Sequence, residues 1–269
     1  MGNKPGKIDN KIRIIQDKRE AQNLLNIAES KDFYLEECND DKTNSLARRN
    51  FTYAPNSISK NEINSAILFI KNTIPLLPSK LSELGQVHII QLMPNSDGGM
   101  PHTRPGNIIC YPNFSMLYSV HTLIHELWHC HQREFTYYWI QIFNKIGWTI
   151  WKGKLPDKLE NNRRYNPDTL DSPLWIFKKE WIPVPVFTDI THPSINQIEV
   201  WFYNPHIEYY AKNIPDDLSS YFTDLNMVAF EHPREITAYM LAEPDKFRHS
   251  PAFKDLIKAM GNNAIHSLP

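Results

Sequence analysis

Two histidines four residues apart enclose a glutamate and two apolar residues in His125-Glu126-Leu127-Trp128-His129. On a helix, residues at this spacing project from one face about 40° apart, so both imidazoles can meet one ion. Glu126 is rotated about 60° from His129, which puts it beside that ion rather than on it. That is the position a general base needs. Zinc with two histidines, one carboxylate and one open position would acidify water to a pKa of about 7 and polarise a carbonyl. Glu126 would take the proton from that water and hand it to a leaving amine.

The surroundings of the motif favour this chemistry over a plain core helix with hydrogen-bonded histidines and a solvated glutamate. Leu117, Val120, Ile124, Leu127 and Trp128 form an apolar stripe, and His121, His125 and His129 lie along the next one. One face would pack while its neighbour opens on a cleft. The continuation Cys130-His131-Gln132-Arg133-Glu134-Phe135 has Gln132 and Phe135 where the metzincin pattern needs Gly and His, which excludes that class. His131 points away from the pair. The remaining common solution is a carboxylate on a second helix, and Glu231-His232-Pro233-Arg234-Glu235-Ile236-Thr237-Ala238-Tyr239 offers one.

Pro233 suits the first helical position, so Glu235 falls in the first turn, and Ala238 and Ala242 continue a small-residue face that admits a close neighbour. Glu235 is the candidate third ligand; its alternative role is to complement the helix dipole. Glu199, Glu208 and Glu231 are rival ligands without such a face. His232 is either a helix cap or a donor to a transition-state oxyanion, and Tyr203, Tyr209, Tyr210 and Tyr239 are further candidates for that donor.

The elements that must carry these residues follow from periodicity. No proline interrupts a helical pattern over 117–146, and Gly147 supplies a stop. Residues 86–92 and 107–111 read as strands on either side of the turn-rich Pro94-Asn95-Ser96-Asp97-Gly98-Gly99. Upstream, helices are expected at 17–30 and 60–73. Downstream, 152–173 reads as loop. Residues 181–187 and 197–203 read as strands, the first confined to an edge by Pro183 and Pro185. Helices resume at 233–243 and 253–260.

Composition sets the wider limits. The chain has 269 residues, enough for one large domain with a substantial core. Lys+Arg 29 against Asp+Glu 30 gives no electrostatic argument for nucleic acid. Three cysteines, Cys38, Cys110 and Cys130, cannot all pair and have no metal-ligand spacing. Neither a signal sequence nor an uninterrupted apolar stretch of membrane-spanning length is present, so a cytoplasmic location is expected. Met1-Gly2-Asn3-Lys4 begins like a myristoylation signal, but Gly6 replaces the required Ser or Thr. Two units are expected: a polar N-terminal arm with one helix over 1–55 and a main domain over 56–269.

With its two motifs, His125-Glu126-Leu127-Trp128-His129 and Glu235-Ile236-Thr237-Ala238, the chain resembles the zincin metallopeptidases, and within them the gluzincins. The similarity spans 86–243, though only the motifs are specific. It implies an α+β fold in which a twisted sheet lies over the active-site helix, followed by a helical C-terminal part. It also implies that His125, His129 and Glu235 hold one zinc ion, with Glu126 as the base. Peptide bonds in a peptide or protein substrate would be hydrolysed. By position, 107–111 looks like the edge strand to which an extended substrate adds, with Met100-Pro101-His102-Thr103 leading into it. The interval from His129 to Glu235 is far longer than in thermolysin-like enzymes, which points to an insertion over 152–221 around the cleft. Trp175, Trp181 and Trp201 within it suit a groove wall or a hydrophobic core. The alternative is a catalytically inactive zinc-binding interaction protein of the same fold.

Overall fold

A computed structural model describes residues 11–261; the Met1-Gly2-Asn3-Lys4 signal lies outside them. Strand β1 (Ile12–Ile14) leads into α1 (Lys18–Asp32), α2 (Tyr34–Asp40) and α3 (Lys42–Arg48). The segment expected to carry one helix therefore carries three and a strand. Asp17 starts α1 by accepting from the backbone of Arg19 and Glu20, which satisfies two otherwise orphaned donors. Helix α4 (Lys60–Thr73) begins on a reciprocal Ser59–Glu62 capping box and buries Ile63, Ala66 and Ile70.

Strands β2 (Val87–Gln91), β3 (His102–Arg104) and β4 (Ile108–Tyr111) join β1 in one sheet of order β1-β2-β4-β3. All pairs are parallel except β3 with β4. The strand expected at the edge is thus interior, and the edge is β3. All four residues of β4 are buried, as in a strand covered on both faces. Gly106 and Asn107, at φ of 91° and 56°, turn the chain tightly enough for β3 to pair outside it.

Helix α5 (Val120–Glu134) packs against β3 and β4 and against a later helix, α9 (Pro233–Ala242). Ser119 caps it by accepting from the Thr122 backbone. The expected single helix over 117–146 is in fact two. Phe135, at φ −113° and ψ 43°, breaks the α5 geometry before α6 (Thr136–Lys145). The change of direction lets α6 bury Trp139, Ile142 and Phe143 in the core, a gain that no local breaker in the sequence announces. Gly147 does end the run: it sits at φ +94°, and a Cβ there would meet Phe177 at 2.9 Å.

The remaining elements are β5 (Trp148–Ile150), α7 (Asp157–Glu160), β6 (Trp175–Phe177), β7 (Ile182–Phe187), β8 (Ile198–Asn204), β9 (Tyr209–Ala211) and α8 (Asp216–Tyr221). Then come α9 (Pro233–Ala242), α10 (Pro244–Phe247) and α11 (Pro251–Met260). β5 pairs with β6, and β7-β8-β9 form an antiparallel sheet in which the proline-bearing β7 is an edge. Leu159, Ile182, Val184, Val186, Trp201 and Tyr203 give this region its own small core. Trp175 belongs to the main core and Trp181 packs against it, so the three tryptophans serve packing rather than the cleft wall. The architecture is α+β, and among the described residues no helix is long and apolar enough to cross a membrane.

Candidate metal centre

His125 and His129 leave α5 on the side that faces α9, and their Nε2 atoms stand 2.9 Å apart. Pro233 starts α9 at its first position, and the buried Ala238 and Ala242 let it approach α5 closely. Glu235 therefore reaches the pair: its Oε2 is 3.4 Å from His125 Nε2 and 3.5 Å from His129 Nε2. Among the described residues this is the one group of three or more His, Cys, Asp or Glu side chains that could share a metal ion.

The donor set fits zinc. The triangle of 2.9, 3.4 and 3.5 Å has a circumcentre about 1.9 Å from each corner. That radius is close to the roughly 2.0–2.2 Å of zinc bonds to nitrogen and oxygen, so these three atoms could hold one ion. Two imidazoles and one carboxylate are also the donor types of a catalytic zinc with one position left open.

Neighbouring side chains hold these ligands. Asn166 donates from Nδ2 to Glu235 Oε1 at 3.0 Å, leaving Oε2 for the histidines. The Asn166 amide cannot turn over, because its Oδ1 accepts from the Asp168 backbone at 2.9 Å. His129 Nδ1 lies 2.9 Å from Gln132 Oε1, and the Gln132 amide nitrogen donates to Arg234 O and Thr237 Oγ1. His121, the third histidine of the stripe, donates from Nδ1 to the Ala242 carbonyl at 3.0 Å and so joins α5 to the end of α9.

Glu126 is buried, and its Oε2 has no hydrogen-bond partner. Burial and the nearby Asp168 carboxylate push its pKa well above the usual range, making it a proton acceptor of raised basicity. Burial disfavours charge on His129 as well, but the Glu235 and Asp168 carboxylates outweigh it and hold the imidazole up to about 9 in the metal-free chain. Glu235 moves the other way: burial is outweighed by the two histidines, which keep it ionised.

His125, Glu126 and Glu235 border one cleft of about 700 Å³. One wall is Gly98, Gly99, Met100, Pro101 and His102 beside the β3 edge; another is Arg164, Asn166, Pro167 and Asp168. The two meet where the Thr103 backbone N–H, pointing outward from β3, donates to Asp168 Oδ1 at 2.7 Å.

The rival ligands are committed elsewhere. Glu231 borders the cleft but is engaged by Arg164 and Asn166, Glu199 accepts from Trp201, and Glu208 is exposed in the β8–β9 turn. His232 caps α9 by accepting from the Arg234 backbone, and its Nε2 faces Pro173 O. Burial and the neighbouring Arg234 push its pKa down to about 3, so it is neutral at pH 7. Of the candidate oxyanion donors only Tyr239 borders the cleft. Its ring lies edge-on to His125 at 4.5 Å. Tyr203 is in the second core, Tyr210 accepts from Lys158, and Tyr209 is exposed.

Sequence reasoning missed Asn166 and Asp168, which stand in a loop without periodicity. It used Gln132 only to exclude a class, although its position three residues after His129 on one helix predicts contact. No protein-family model, curated protein or solved structure matches the chain.

Proposed function

We propose that the protein is a zinc-dependent peptidase of zincin-like, gluzincin type. The observation that carries this reading is the convergence of His125 Nε2, His129 Nε2 and Glu235 Oε2 on one point, beside the unpartnered Glu126 Oε2 on the same cleft. Zinc bound there supplies Lewis acidity, polarising a peptide carbonyl and making water acidic enough to lose a proton near neutral pH.

The chain's own residues do the rest. Glu126 accepts the proton from the attacking water and delivers it to the leaving amine. Tyr239, kept protonated by burial and by the Glu235 charge, donates its phenolic hydrogen bond to the oxygen that gains charge as the carbonyl is attacked. An extended peptide lies along β3 from Met100 and Pro101, because Asp168 occupies the outward N–H of Thr103. A cytoplasmic location fits the three cysteines, all buried and unpaired.

The test is zinc content together with cleavage of a denatured protein or peptide library. One equivalent of zinc and a loss of about 10²–10⁴ in turnover by Glu126→Gln are expected. Metal-free protein, or equal cleavage by both forms, overturns the peptidase reading. Zinc bound with no cleavage by the wild type assigns the chain to the inactive zinc-binding alternative.

A further inference from the structure

Gln132 is buried on α5, and both of its polar atoms are hydrogen-bonded, the oxygen once and the nitrogen twice. Its amide nitrogen donates to Arg234 O at 2.9 Å and to Thr237 Oγ1 at 3.0 Å. The Thr237 hydroxyl has its single hydrogen turned back to the carbonyls of its own helix, Pro233 O at 2.8 Å and Arg234 O at 3.2 Å. It can therefore only accept from Gln132. Turning the amide over would set its oxygen against the Arg234 carbonyl and against a hydroxyl with no hydrogen to give. The orientation is fixed by the network.

With the nitrogen committed to α9, Oε1 faces His129 Nδ1 at 2.9 Å and can only accept. In the neutral form that binds a metal, His129 must then carry its hydrogen on Nδ1, which leaves the Nε2 lone pair facing His125 and Glu235. Arg234 and Thr237 flank Glu235 on the chain, so the same amide reads the backbone that carries the third ligand. We infer that Gln132 is the positioning residue of the metal centre, setting the tautomer of His129 and registering it against the Glu235 turn of α9. This rests on the zinc reading above. A neutral acceptor suits the place, because Glu126, Asp168 and Glu235 already put three carboxylates around His129.

Two measurements on the whole chain test it. In the zinc-loaded wild type, nitrogen-15 NMR of the histidine rings is expected to find a proton on Nδ1 of His129 and none on Nε2. Zinc affinity, read by competition with a chromogenic chelator, is expected to fall about 10–100-fold in Gln132→Met, which keeps the size of the side chain and removes its acceptor. Thr237→Val, which removes one of the two acceptors on α9 and leaves the Arg234 carbonyl, is expected to stay within about threefold of wild type. Wild-type affinity in Gln132→Met, an equal loss in Thr237→Val, or a bare His129 Nδ1 in the zinc-loaded wild type overturns the inference while leaving the zinc centre standing. A wild type that binds no zinc overturns the centre and the inference together. Should Gln132→Met not fold, the His129 Nδ1 hydrogen in the zinc-loaded wild type decides: slow exchange with solvent and a hydrogen-bonded shift support the inference, and fast exchange without that shift overturns it.

Discussion

Asn166 donates to Glu235 Oε1 at 3.0 Å across 69 residues of chain, and this contact makes the loop before β6 part of the candidate metal centre. It turns the other carboxylate oxygen towards His125 and His129. Asn166→Leu removes that restraint and leaves Glu231 with one partner fewer. Zinc affinity should drop about 10–100-fold, measured by chelator competition, and unchanged affinity would rule out a role for Asn166 in holding the ligand.

This contact also marks where the sequence stops being legible. Much of what short-range spacing sets could be read: the His125–His129 pair, Glu126 beside it, Pro233 starting a helix that carries Glu235, and β7 held to an edge by Pro183 and Pro185. What depended on tertiary arrangement could not. The break at Phe135 exists because Trp139 and Phe143 reach the core only if α6 turns. The place of β4 inside the sheet is decided by its two neighbours, not by its own residues. Asn166 and Asp168 earn their roles through a loop fold that no periodicity encodes.

Tyr239 stands with its ring 4.5 Å from that of His125 and borders the cleft. Removing its hydroxyl should affect the transition state and not the metal. Tyr239→Phe is expected to lower kcat about 10²-fold, with KM and zinc affinity near wild type. Unchanged kcat would return the oxyanion role to a group outside the five candidates.

Asp171 ties the two ligand helices together by accepting from Arg133 on α5 and Arg234 on α9. Burial opposes its charge, but the two guanidinium groups outweigh burial and hold the carboxyl well below the usual carboxylate range. A carboxyl depressed in the folded state stabilises it above the unfolded value of about 4, and the contribution is lost as pH falls from there towards the folded value. Asp171→Asn should therefore cost about 3 kcal/mol in urea unfolding at pH 7. The difference from wild type should hold between pH 7 and 5 and shrink below pH 4. A difference that grows on acidification would contradict the assignment.

Two imidazole nitrogens 2.9 Å apart beside a buried carboxylate form a group that could share one cation. Binding to the folded chain alone must then raise its stability by mass action. At free zinc a hundredfold above Kd the gain is about 2.7 kcal/mol, and for a chain of this size that corresponds to roughly 5–10 °C in Tm. A chelator should remove this increment, and added zinc should restore it. His129→Ala should show no response to either, because it loses the most buried of the three ligands. A chelator-insensitive Tm in the zinc-loaded wild type, or an undiminished shift in His129→Ala, would place the ion elsewhere on the molecule.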